Sequence, residues 1–264
     1  MGGQLAGANV LVTGAGGFLG SRLVERLLAE EAEVHAVSRS PRETQAGGVR
    51  WWQADLAELD STRALFASVA PDLVFGMAGL ATSAPDLELV PRMFRGNLMT
   101  TVNLLTAATE AGSPRVLLAQ SLTEPETGEP ARSPYAVSKW AASGYARMFH
   151  SLYGLPVVKL RIFMTYGHGQ RDVTKLVPHV TLCLLRGETP ELTSGREELD
   201  WVYVDDVVDG CVAAAATAGV EGRTIDLGSG RLSSVRRVVE HLAEITGAGV
   251  VPAFGALQLS LIHI

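Results

Sequence analysis

Short apolar runs alternate with helix-patterned stretches through the first 162 residues, and this alternation constrains the fold more than any single motif. Residues 10–13, 34–37, 49–53, 73–78, 116–119 and 157–162 read as strands. Residues 19–30, 61–69 and 97–110 read as helices, the last with Leu98, Val102 and Leu105 along one stripe. Strands joined by helical crossovers form a mostly parallel sheet covered on both faces, so the expected class is α/β with a doubly wound parallel sheet. An apolar content of 47% over 264 residues supplies the core that such a sheet needs.

The rhythm changes near residue 165, where the polar stretch 166–174 begins. Further on, 175–186 reads as a helix, 201–204 as a strand, Asp205 as the cap of another helix, 224–227 as a strand and 234–246 as a helix. The expected division is a sheet domain over 1–165 and a smaller lobe over 166–258. Residues 259–264, Leu-Ser-Leu-Ile-His-Ile, continue neither pattern. The codons CTG-TCT-CTT-ATA-CAC-ATC encode them and resemble a transposon adapter from sequencing libraries, so a non-native tail and a truncated lobe are expected.

A net charge of −6 opposes any function built on neutralising a nucleic-acid backbone, so no nucleic-acid partner is expected and an anion must be bound locally. Cys183 and Cys211 form no metal-like pair or disulfide framework, and the six histidines show no zinc-ligand spacing. No metal site is expected. Without a secretory lead-in or a span-length apolar run, the expected setting is the cytoplasm, away from membranes.

Glycines at 14, 17 and 20 fall between the first strand and the first helix. Gly14 permits the turn, Gly17 lets backbone approach a pyrophosphate, and Gly20 allows close helix-to-strand contact. Bare amides at the helix start, around Phe18 and Leu19, then hold the anion. A dinucleotide with free ribose hydroxyls is held by an acid at the end of the second strand. Here that end reads Val37-Ser38-Arg39-Ser40, with no acid before Glu43. Ser38 and Arg39 suit a 2′-phosphate, which favours NADP over NAD; Asp55 and Leu56, after the third strand, either line the adenine or, for Asp55, cap a helix.

The strongest local signal is Ser133-Pro134-Tyr135-Ala136-Val137-Ser138-Lys139. With five tyrosines and three lysines in the chain, a Tyr followed four residues later by Lys arises by chance with a frequency of about 0.06. Pro134 suits the first helical turn, and the spacing puts phenol and ammonium on one face. A neighbouring cation favours the phenolate, drawing the pKa down from its usual value of about 10 toward useful proton transfer. Ser121, at the end of the fifth strand, is the candidate hydroxyl to hold and polarise a substrate oxygen.

Gly14, Gly17, Gly20, Ser121, Tyr135 and Lys139 together resemble the extended short-chain dehydrogenase/reductases, the branch of nucleotide-sugar epimerases, dehydratases and reductases. The resemblance runs over about residues 8–250 and includes 77–81, Asn97, 160–167 and 200–207. It implies a Rossmann sheet and an NADP or NAD cofactor touched by Met77, Ala78, Gly79, Asn97, Tyr135, Lys139 and Phe163. It also implies a nucleotide-sugar substrate and hydride transfer at C4. Dehydratases of this family follow the hydroxyl residue with Asp-Glu, whereas Leu122 and Thr123 follow Ser121. The expectation is therefore a 4-ketoreductase of a 4-keto-6-deoxy sugar nucleotide, with an NAD-dependent 4-epimerase as the alternative. A redox-sensing regulator without turnover is the reading of another class, and such relatives lack the Tyr/Lys pair.

Met164 and His168 stand where many epimerases carry Asn and Pro, and Leu199 replaces a phosphate-holding arginine. Met164, Lys175 and Arg196 are the candidate substrate contacts, with Arg171 and Arg231 as weaker diphosphate candidates. The resemblance further implies a homodimer through the helices at 97–110 and 135–153, where Trp140 and Met148 lie outside the inward stripe.

Overall fold

The computed structural model describes residues 3–42, 48–126 and 128–257. In chain order the first half runs β1 (Asn9–Thr13), α1 (Phe18–Ala29), β2 (Glu33–Ser38), β3 (Val49–Gln53), α2 (Leu59–Val69), β4 (Leu73–Gly76) and α3 (Leu89–Met93). A π-helical turn (Phe94–Met99) leads into α4 (Thr100–Glu110), followed by β5 (Arg115–Ser121), α5 (Pro134–Tyr153) and β6 (Val157–Ile162). The second half runs β7 (Met164–Tyr166), α6 (Leu176–Arg186), β8 (Glu191–Leu192), β9 (Glu198–Tyr203), α7 (Val204–Ala216), β10 (Thr224–Leu227), β11 (Leu232–Ser234), α8 (Val235–Thr246) and β12 (Ala253–Phe254).

Seven strands make one parallel sheet in the order β10-β6-β5-β4-β1-β2-β3. The order reverses between β1 and β4, which opens a crevice at their carboxyl ends, the place where open α/β sheets collect ligands. Register aligns Thr13 with Gly76 and Gly76 with Leu118, so the loops after β1, β4 and β5 share one edge. Side chains alternate along β1: Val10 and Val12 enter the layer under α1 and α7, and Leu11 enters the opposite layer with Phe66, Leu105 and Phe149. Burying each such side chain contributes roughly 1.5–3 kcal/mol, which is why the sheet, rather than the loops, sets the frame.

Chain order and spatial order part beyond the expected boundary at 165, because α7 and β10 return to the large sheet. Arg22 and Arg26 of α1 pair with Asp205 and Asp209 of α7. Asp205 therefore sits in the first turn of α7 as an ion-pair partner and does not cap it; Tyr203 is the cap residue. The lobe proper is small, with Val180, Leu184, Leu192, Val235 and Val239 as its buried core. Burial pushes the Cys211 thiol up to about 12, consistent with a core residue on α7. The stretch 259–264 and Glu43 lie outside the described residues.

Candidate functional site

The glycine turn is built by close approach. Gly14 has φ +66°, and a Cβ on it would come 2.8 Å from the backbone of Met77 and Ala78. At Gly20 a Cβ would stand 2.1 Å from the Gly14 carbonyl oxygen, so only glycine lets α1 start this near the strand. Gly17 donates its N–H to Gly14 O at 2.9 Å and forms the N-cap of α1. Thr13, buried at the end of β1, accepts from Ala78 N–H at 3.0 Å and so ties this turn to the loop after β4. The first turn of α1 carries no acidic residue and no side-chain cap, which leaves its amides to an anion. A bare helix start, a glycine cradle and the crevice of the sheet fit a dinucleotide diphosphate.

At the end of β2, Ser38 is half-buried and Arg39 exposed. Sequence reading missed Arg42, whose guanidinium lies over the Trp51 ring at 4.7 Å and against Gly16, where an added Cβ would meet it at 2.5 Å. Its signal was only a fourth basic or hydroxyl residue, after Ser38, Arg39 and Ser40, in a stretch lacking acids. Asp55 does not cap α2: Glu58 holds that position, while Asp55 accepts from Ala57 N–H at 3.0 Å and pairs with Arg95 at 2.9 Å. Ala57 N–H and then Arg95 hold the Asp55 carboxyl below its usual range. The Leu56 side chain is buried in the core, and its carbonyl accepts from Asn103 Nδ2 at 3.0 Å.

Asn97 lies in the π-helical turn, a distortion that recurs at functional sites. Its buried amide accepts from Leu80 N–H at 2.7 Å and donates to Leu80 O at 3.1 Å and Ser138 Oγ at 3.0 Å. These bonds spend the side chain on pinning the loop after β4 to α5. Asn97 consequently positions Gly79 and Lys139: a Cβ at Gly79 would find Asn97 Oδ1 at 3.1 Å and Lys139 Nζ at 3.6 Å.

Ser133 caps α5 by accepting from Ala136 N–H at 3.1 Å, and Pro134 opens the helix. This sets Tyr135 and Lys139 one turn apart facing the end of β5. The Lys139 ammonium is buried and donates to Ala119 O at 2.8 Å; burial draws it down to about 8. Ser121 is buried and exchanges its hydroxyl bond with Thr123 Oγ1 at 2.9 Å. The same hydroxyl acts on the Tyr135 phenol and favours its ionisation. The net displacement of the phenol is nevertheless upward, contrary to the depression expected from Lys139, because burial outweighs Ser121. The three groups expected to converge do so at one edge, beside the glycine turn.

Sequence reading also passed over two residues here. The buried Gln120 amide is surrounded by acceptors, so its nitrogen is assigned to that side, where it donates to Lys139 O and to Glu124 Oε1, each at 3.1 Å. Glu124 accepts from Ser121 N–H at 3.2 Å. Neither residue type is chemically distinctive, and only the folded loop joins them to the cluster.

The lobe side is looser. Phe163 packs against the core beside Gly228, and Met164 pairs in register with Trp201. Lys175 sits at the start of α6 and donates to Ala81 O at 3.1 Å, reaching across to the loop after β4. Arg196 is exposed in the loop before β9, and Leu199 packs into the lobe core. Asp200, unassigned by sequence reasoning, fixes the loop after β10 by accepting from Ser229 N–H at 2.7 Å and Gly230 N–H at 2.8 Å. Among the described residues there is no cluster of three or more metal-ligating side chains, and no helix is long and apolar enough to cross a membrane.

The chain is similar to known proteins in both sequence and structure. A UDP-glucose 4-epimerase of Mycolicibacterium smegmatis is 31% identical over 276 residues, covering 92% of this chain and 84% of its own length. A dTDP-glucose 4,6-dehydratase of Streptomyces griseus is 30% identical, covering 91% of this chain and 79% of its own. Among solved structures, MoeE5 in complex with UDP-glucuronic acid and NAD superposes with a TM-score of 0.84 at 31% identity, over 97% of this chain and 87% of that one. The UDP-glucose 4-epimerase of Thermus thermophilus in complex with NAD gives 0.80 at 29% identity, over 93% and 85%. The profile of the NAD dependent epimerase/dehydratase family matches residues 10–228. The chain belongs to that family of nucleotide-sugar enzymes.

Proposed function

We propose that the protein is an NAD-dependent 4-epimerase of a UDP-sugar, and the observation that carries this reading is the convergence of Ser121, Tyr135 and Lys139 beside the glycine turn. Relatives named as 4-epimerases, aligned over 90% or more of this chain, support the same choice. Bound NAD supplies the hydride acceptor and later the donor. Backbone amides of Phe18 and Leu19 at the start of α1 would hold its diphosphate, and Lys139 with Gly79 would flank the ribose next to the nicotinamide. Tyr135 takes the proton of the sugar C4 hydroxyl as that carbon becomes a ketone, then returns it to the same oxygen. Ser121 donates a hydrogen bond to this oxygen. Lys139, cationic below about pH 8, offsets the phenolate formed one helical turn away. Lys175 and Arg196 offer the positive charge for the substrate diphosphate, and Met164 borders the sugar.

A second reading, a 4-ketoreductase using NADP, is favoured by Ser38, Arg39 and Arg42 around the adenosine end. One experiment separates the two: incubation with UDP-glucose and catalytic NAD, with products resolved by NMR. Epimerisation yields UDP-galactose without net change in NADH. Consumption of stoichiometric NADPH by a 4-keto sugar nucleotide, with no epimer formed, replaces the first reading by the second.

The exposed apolar residues Val137, Trp140, Leu152 and Tyr153 of α5 support pairing with a second copy along that helix. Met148, by contrast, packs on the core and offers nothing to a partner. Sedimentation of Trp140→Glu against the unaltered protein tests this pairing.

A further inference from the structure

We propose that Glu124 is a positioning residue that governs the charge balance of the Ser121, Tyr135 and Lys139 cluster. Its carboxylate receives two hydrogen bonds, from Ser121 N–H at 3.2 Å and from the Gln120 amide at 3.1 Å. The same Gln120 amide reaches Lys139 O at 3.1 Å, so Glu124, through Gln120, fastens the end of β5 to the helix that carries the phenol and ammonium. Ser121 O in turn accepts from Glu124 N–H at 3.2 Å, which closes a tight loop around the candidate hydroxyl.

The charges around it are few. Tyr135 and Lys139 face it from α5, and Lys159 and Arg161 face it from β6. Arg161 is committed to Asp226 of β10 through two bonds and also feels Glu126, while Lys159 is buried and feels Arg147 of α5. Glu124 is therefore the acidic group acting on both Tyr135 and Lys139, and its negative charge favours the phenol over the phenolate and the ammonium over the amine. Glu124 is itself half-buried, while the Lys139 and Ser121 it faces are buried, so its charge is only partly screened by salt.

The test uses Glu124→Gln, which keeps the acceptor oxygen and removes the charge. Ultraviolet difference titration of tyrosinate, with Tyr135→Phe as the subtraction, reads the phenol directly in the full chain and needs no turnover. Ionisation of Tyr135 is expected at lower pH in Glu124→Gln than in the unaltered protein, and unshifted in Glu124→Asp. An unmoved midpoint in Glu124→Gln overturns the proposal, as does an equal shift in Glu124→Asp. Glu124→Ala carries the same expectation as Glu124→Gln if the latter does not fold.

A second arm rests on the epimerase reading: with UDP-glucose as probe, both limbs of the pH profile move down, and the ratio of rates at about pH 6 and about pH 9 rises several-fold. A purely structural role lowers the rate at every pH and leaves the limbs in place. Should UDP-glucose not turn over at all, the functional reading fails while the spectroscopic arm still decides the role of Glu124.

Discussion

The carboxyl edge of the large sheet and the surface of the small lobe differ in how their functional side chains are held. At the edge, Lys139, Asn97, Thr13 and Ser121 are buried and bonded to backbone or to one another. In the lobe, Arg196 is exposed and Lys175 holds only a carbonyl across the cleft. The proposed catalytic groups are fixed by a deep sheet, whereas the proposed substrate contacts stand on a small core, five buried residues among those described. The contrast suits the proposed roles: proton transfer tolerates little displacement, while a substrate has to enter and leave.

The sharpest way to break this comparison is Tyr135→Phe. Turnover should fall by roughly 10²–10⁴-fold while NADH affinity, read by fluorescence titration, stays within about twofold. Equal turnover without the phenol would falsify the proton-transfer role. Next in size is Gly20→Ala, which forces a methyl onto the Gly14 carbonyl at 2.1 Å. The expected cost is about 1–3 kcal/mol in denaturant unfolding, with dinucleotide binding lost; an intact affinity contradicts the cradle.

Lys139→Met sharpens the contrast between function and stability. A lysine held at about 8 instead of its usual 10.5 binds fewer protons folded than unfolded between those values, so its burden on the fold is full below about pH 8 and fades as pH rises toward 10.5. Removing the charge should therefore raise stability at pH 7 by about 1–3 kcal/mol while activity disappears, and the gain should shrink above pH 8. Thermal unfolding at several pH values shows either this sign or its opposite. Asn97→Ala, which strands the Leu80 and Ser138 partners, should cost about 1–3 kcal/mol and lower kcat more than it changes KM. The smallest effect is expected at Arg196→Ala: stability within about 0.5 kcal/mol and a raised KM for the nucleotide sugar. A KM unchanged by this substitution removes Arg196 from the substrate site.

Much of this was legible in advance because it depends on local pattern. The β-branched run at Val10 and Val12, the spacing of Gly14, Gly17 and Gly20, and the Ser133-Pro134 entry to α5 each follow from steric rules within a few residues. Less local features were misread. Asp205 has the composition of a helix cap, but pairing with Arg22 across the α1–α7 contact put it inside the helix. The bracing bonds of Asn97 were equally out of sight, since its partners Leu80 and Ser138 lie 17 and 41 residues away in sequence.

Spacing along the chain by itself determined that a phenol and an ammonium would share one helix face and that a helix would start on bare glycine amides, because helical geometry repeats wherever the residues permit it. The fold alone decided that Ala119, Gln120 and Glu124 would surround that pair and that burial would lift the phenol instead of lowering it. Dielectric surroundings and contacts between distant segments arise only once the sheet has closed its layers, and no short-range pattern encodes them.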